Sequence, residues 1–119
     1  MKLRIAVPAL LAALAFTGGC DLGKTRTLVV RNQGFWEAEV TLRHTYAVYD
    51  DIEEESTTES AWSTTDLPPG KSLRRELRSM VSLYLEVRRK GDGVLLLSET
   101  FYPGDFKGPD DELEIVVRP

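Results

Sequence analysis

Trp36-Glu37-Ala38-Glu39-Val40-Thr41-Leu42-Arg43-His44-Thr45-Tyr46-Ala47-Val48 decides the fold class. Its even positions hold Trp36, Ala38, Val40, Leu42, His44, Tyr46 and Val48, whereas Glu37, Glu39, Thr41, Arg43 and Thr45 stand at odd ones. Successive side chains of a strand point to opposite faces, so this alternation predicts a half-buried antiparallel strand. The even face, Trp36 included, is expected to pack on a core, with a bend or bulge somewhere within so long a run.

Strand signals continue on both sides. Upstream, Thr25–Arg31 is rich in β-branched residues and ends at Asn32-Gln33-Gly34, a turn. Downstream, Asp50–Ser60 concentrates Asp50, Asp51, Glu53, Glu54 and Glu55 and then Ser and Thr, which predicts a long, mobile acidic loop over 50–60. Ala61–Asp66 reads as a short strand closed by Leu67-Pro68-Pro69-Gly70. Residues 71–79 fit a strand or one helical face, because Leu73, Leu77 and Met80 are spaced by four and three. The strand assignment suits the neighbouring segments better, although it sets Arg75 between two inward leucines. Val81, Leu83, Leu85 and Val87 alternate with Ser82, Tyr84, Glu86 and Arg88, and Gly91-Asp92-Gly93 turns the chain into Val94–Phe101. Four consecutive apolar residues there predict a central strand covered on both faces. A Pro/Gly/Asp loop over 102–111 leads to a last strand with Leu113, Ile115 and Val117 inward. Six or seven short strands in residues 25–119 imply an all-β chain folded as a single antiparallel β-sandwich.

Val30-Arg31-Asn32-Gln33-Gly34, the alternating strand, Leu67-Pro68-Pro69-Gly70-Lys71-Ser72 and Leu83-Tyr84-Leu85-Glu86-Val87 resemble, in order and spacing, the layout of bacterial immunoglobulin-like domains. Fibronectin-type folds and cell-adhesion-related bacterial domains share that layout. The paired cysteines of true immunoglobulin domains are absent, and the acidic insertion at 50–60 departs from the compact pattern. The resemblance implies a fold and no activity.

The N-terminus is of another kind. Lys2 and Arg4 precede an apolar stretch from Ile5 to Phe16, and Thr17-Gly18-Gly19 leads into Cys20. This is the layout of an export signal over residues 1–19. It resembles the lipobox of bacterial lipoproteins, with Thr17 where that family usually has an aliphatic residue. The alternative is ordinary secretory cleavage after Ala13-Leu14-Ala15. Cys20 is the sole cysteine, and a lone thiol in an oxidising compartment needs a reason, which lipidation supplies. The resemblance implies a diacylglycerol on Cys20, usually with an amide-linked acyl chain. It also implies a membrane anchor in the bacterial cell envelope, periplasm-facing or surface-exposed. Residues 20–24 then form only a short spacer. Asp21 resembles the inner-membrane retention signal of enteric bacteria.

Charge narrows the partners. Without Lys2 and Arg4 the basic count falls from 15 to 13 against 19 acidic residues, a net charge of −6. So acidic a domain is ill suited to nucleic acid, where phosphate neutralisation needs a basic surface.

Candidate chemistry is sparse. His44 is the sole histidine, with neither a second histidine nor a free cysteine to build a zinc site or a triad, so a non-enzymatic role is expected, with no cofactor beyond the lipid. Asp50, Asp51, Glu53, Glu54 and Glu55 offer calcium-type oxygen ligands but lack a fixed ligand frame, and a solvated loop accounts for them. Arg74, Arg75 and Arg78 would lie beside Arg88, Arg89 and Lys90 if their strands were neighbours, forming a basic patch for headgroups or an acidic partner. Trp62, flanked by Ser and Thr, is the candidate recognition residue. The expectation is an envelope module that binds or assembles with a protein. The alternative is a carrier for calcium, a glycan or a small apolar molecule.

Overall fold

The computed structural model describes residues 23–118, so the signal segment 1–19 and Cys20 lie outside the described residues. Seven strands follow one another: β1 Thr25–Asn32, β2 Ala38–Asp50, β3 Glu55–Leu67, β4 Ser72–Arg78, β5 Met80–Arg89, β6 Leu95–Phe101 and β7 Glu112–Val117. They form two sheets, ordered β4-β1-β7 and β3-β2-β5-β6. The inner faces meet in one core of Leu28, Val30, Leu73, Leu77 and Val117 from the first sheet and Val40, Leu42, Leu83, Leu85 and Val87 from the second. This is a β-sandwich of seven strands.

The β1–β4 pair in one sheet and the β2–β5 pair in the other are both antiparallel. With β3 and β6 they follow the strand order of the immunoglobulin arrangement. The seventh strand departs from it. β7 lies against the free side of β1 and runs parallel to it, with Leu28 opposite Leu113 and Asn32 opposite Val117. The sandwich is thus antiparallel except at this one pairing.

The alternating stretch is β2, and Ala38, Val40 and Leu42 are buried as its pattern requires. The expected irregularity is real: Thr45 faces Ser82 and Tyr46 faces Met80, so Val81 of β5 is the extra residue. Trp36 corrects the sequence reading. It is 60% exposed, because the strand starts only at Ala38 and residues 34–36 form a bend. The acidic segment corrects it as well. Instead of a loop over 50–60, Asp51–Glu54 make a tight turn and Glu55 already pairs with Asp50. Asp50 Oδ1 shapes that turn by accepting the amides of Ile52 (2.9 Å) and Glu53 (3.3 Å). The short strand expected at 61–66 is the second half of this longer β3. Beyond Tyr46, β2 leaves β5 and continues with β3 as a two-stranded arm.

Residues 72–78 form a strand, and Arg75 does share its inner face with Leu73 and Leu77. It lies at the open side of the sandwich, where its guanidinium reaches across to Thr65 Oγ1 of β3 (3.1 Å). The leucine run forms β6, at an edge rather than the centre. Val87 faces Leu97 and Arg88 faces Leu95, so Leu96 is a bulge residue. The bulge lets adjacent Leu96 and Leu97 both pack on the core, which mimics a strand buried on two faces.

Asn32 ends β1 and is 1% exposed. Its Nδ2 donates to the carbonyls of Trp36 (2.8 Å) and Leu67 (2.9 Å), and its Oδ1 accepts from the Gly34 amide (3.0 Å). The main chain of the same residue bonds Lys71 O and Gly70 N. One side chain therefore fixes the β1–β2 bend and ties it to the end of β3.

Between β4 and β5 the chain changes sheets at one residue, Ser79, with φ 54°. Its N–H donates to Lys24 O (2.8 Å), its carbonyl accepts from Ala47 N (2.9 Å) and its Oγ accepts from Gly23 N (2.6 Å). A left-handed conformation costs an L-residue about 1–2 kcal/mol, and more for a β-branched one. Ser79→Val is expected to destabilise the fold by about 2–3 kcal/mol, adding the lost hydrogen bond to that strain. Ser79→Gly removes both and should stay within about 1 kcal/mol of the parent. Urea midpoints of the two variants check this.

Candidate binding surface

The outer face of the four-stranded sheet carries the candidate site. Odd residues of β2 point there, with even residues of β3 and β5 beside them. In the middle row, Arg43 stands directly opposite Trp62 on β3 and Tyr84 on β5. Its guanidinium carbon lies 5.5 Å from the Trp62 ring and 5.8 Å from the Tyr84 ring, at cation–π distance. The two rings meet edge to face at 6.2 Å. Arg43 Nε makes no hydrogen bond among the described residues, so stacking holds this cation in place.

Hydroxyls surround the rings. Thr41 and Thr64 Oγ1 are 3.1 Å apart, and Thr45 Oγ1 and Ser60 Oγ are 2.9 Å apart. The Tyr84 hydroxyl donates to Glu86 Oε1 (2.8 Å) and lies 3.0 Å from Ser98 Oγ. Hydrogen bonds from Tyr84 and then Arg88 hold the Glu86 carboxyl below the usual carboxylate range. Trp62 remains 61% exposed in the midst of this network. It is fixed in orientation and open to solvent.

Trp62 sits on an edge strand, β3, whose other neighbour is solvent. The Ala47 amide bonds Ser79 O and the Glu37 carbonyl accepts from Lys90 N, so odd residues of β2 turn their main chain towards β5. By alternation, even residues of β2 serve β3. The main-chain groups of Ser56, Thr58, Ser60, Trp62, Thr64 and Asp66 are then directed away from the sheet.

The expected basic patch does not assemble. Arg74 and Arg75 lie on β4 of one sheet, Arg88 and Arg89 on β5 of the other. Arg88 pairs with Glu86 (2.7 Å) and bonds Gly93 O, and Arg89 pairs with Asp92 (2.7 Å). These are hairpin braces. Lys90 similarly pairs with Asp66. The carboxylates of Asp50, Asp51, Glu53 and Glu55 line a concavity beside the arm, with Tyr49 and Ile52. Among the described residues no three acidic, histidine or cysteine side chains gather as a metal set.

His44 lies on the inner face of β2, its ring 5.1 Å from that of Tyr46. Its Nε2 has no hydrogen-bond partner among the described residues. Burial lowers its pKa, opposed by a hydrogen bond to the backbone of Arg78. Because the unfolded imidazole titrates near 6.5, protons then bind the unfolded chain preferentially as pH falls below that value. His44 thus favours the fold above about pH 6.5, and that contribution is lost as pH falls towards the depressed native pKa. An NMR titration of the single imidazole should give a midpoint below the ordinary value.

Sequence reasoning found Trp62 through its Ser/Thr flanks but missed Arg43 and Tyr84. Neither stands out alone; only the register across three strands places them against the indole. Trp36, expected in the core, is exposed together with Phe35 on the β1–β2 bend. No family model matches this chain, and no curated protein or solved structure matches it either.

Proposed function

We propose that this protein is a non-enzymatic binding or assembly module of the bacterial cell envelope. Lipid on Cys20 holds it at a membrane, and it engages a protein partner through β3 and Trp62. The observation that carries this reading is an exposed, oriented indole on a strand whose main-chain polar groups are open. Such an edge offers directional hydrogen bonds to an extended segment, and a fixed aromatic beside it offers an anchor. The anchor part rests on the lipobox-like sequence. The Gly23 amide bonds Ser79 Oγ, so the chain joins the domain within three residues of Cys20. A lipid there would tether the domain close to the bilayer.

A photo-crosslinking residue at position 62 of the full chain, activated in native membranes, tests the reading. Adducts with envelope proteins are expected at 62 and not at Glu76, an exposed position on β4. Equal yields at both sites would defeat it. Intact mass should show acyl groups on a chain starting at Cys20, lost in Cys20→Ser.

The Trp62–Tyr84 platform ringed by Thr41, Thr64 and Ser98 favours one second reading, a glycan stacked on the rings. Envelope oligosaccharides titrated into Trp36→Phe protein, with Trp62 emission as the signal, test it.

A further inference from the structure

Four strands lie at sheet edges, and three of them are guarded. β6 is short and bulged at Leu96. β4 carries Arg74, Arg75 and Arg78, and β7 is a six-residue strand bearing Glu112 and Glu114. These are the usual devices against edge-to-edge pairing. β3 carries Glu55, Glu59 and Asp66, but it is neither short nor bulged nor basic. It runs for 13 residues without a register shift against β2 and contains no proline, lysine or arginine.

The open edge of β3 is also self-complementary. Two antiparallel copies with Ala61 on the two-fold axis set Ser56 opposite Asp66, Thr58 opposite Thr64, and Ser60 opposite Trp62. Every residue with outward main-chain groups then faces another such residue, the condition for a fully hydrogen-bonded ladder. No carboxylate meets a carboxylate: Glu55 falls opposite Leu67 and Glu59 opposite Ser63. The axis residue is an alanine, small enough for the close approach of a non-hydrogen-bonded pair. Trp62 and its copy become diagonal neighbours on the outer face, within aromatic reach. The Asp51–Glu54 turn of each copy comes alongside the Pro68–Lys71 corner of the other, where the exposed Lys71 offers the opposite charge.

We infer that the partner at β3 is a second copy of this chain. The two copies pair antiparallel through β3 about Ala61, joining two four-stranded sheets into one continuous sheet. This rests on the reading of β3 and Trp62 as a protein-binding edge and names its occupant.

Cysteine crosslinking tests the register in the full chain. At a non-hydrogen-bonded pair the Cα atoms approach about 4.5 Å, within the range a disulfide spans. Ala61→Cys should form a disulfide-linked dimer under mild oxidation, with about tenfold more product than Ser63→Cys, whose partner position is Glu59. The parent chain, with Cys20 alone, reports any linkage through that residue. Adding Ser60→Pro to Ala61→Cys should abolish the product. That proline removes an amide needed only between copies, and an edge strand tolerates it; circular dichroism checks that the fold persists. Equal product from Ala61→Cys and Ser63→Cys would overturn the pairing. If Ala61→Cys stays monomeric while the probe at position 62 captures a different protein, the second copy is wrong and the binding edge stands. If neither produces an adduct, both readings fall.

Discussion

Asn32→Asp is expected to destabilise the domain by about 3–5 kcal/mol at neutral pH, enough to threaten folding where the whole stability is about 5–15 kcal/mol. The amide donates to two carbonyls, Trp36 O and Leu67 O, from a site almost closed to water. A carboxylate there cannot donate and sets negative charge against both oxygens, while only the Gly34 amide still suits it. Desolvation and the two carbonyls would raise the pKa of the new Asp in the folded state. The unfolded chain then ionises first. The deficit relative to the parent should grow as pH rises above about 3.9 and shrink below it, where the neutral acid regains one donor. Asn32→Ala should cost about 2–4 kcal/mol with no such pH dependence. Urea melts of the three proteins at pH 4 and pH 7 distinguish charge from lost hydrogen bonds.

Leu85→Ala should cost about 3–4 kcal/mol. Leu85 is fully buried on β5, between Leu42 of β2 and β6. Both sheets close over it, so the cavity cannot collapse freely. For a domain of this size the melting temperature should fall by roughly 4–8 °C per kcal/mol. Leu95→Ala, at the exposed start of β6, should stay within about 1 kcal/mol of the parent. The contrast tests whether the leucine run forms an edge, since a central strand would make both substitutions costly.

The sandwich was legible where a strand has one wet face. β2 and β5 alternate, and the buried residues of β2 and of β5 from Leu83 onward are the ones that alternation selects. At the bulge the phase inverts, so Val81 is exposed and Met80 buried. Legibility failed where that condition does not hold. β3 is exposed on both faces over most of its length, so hydrophobic period has nothing to act on and its Glu/Ser/Thr composition resembles a loop. Its conformation comes from β2, residue by residue through the register. Trp36 misled because alternation says nothing about where pairing begins, and Asn32 imposes a bend just before that point. Arg75 looked uncomfortable between two leucines because the acceptor on Thr65 lies in the other sheet. The same limit governs the binding surface: Trp62 was visible alone, whereas Arg43 and Tyr84 acquire meaning only across strands.

The parallel pairing of β1 with β7 brings the two ends of the domain side by side, as the Arg31–Glu114 ion pair does from positions 83 residues apart. Contacts so distant in sequence make for high contact order, and sandwiches of this kind fold in milliseconds to seconds. β1 acquires its last neighbour only when the final strand has left the ribosome. Until then the nascent domain lacks one wall of its smaller sheet. A fragment ending before Glu112 would therefore leave that side of β1 open, a second unguarded edge beside the one on β3.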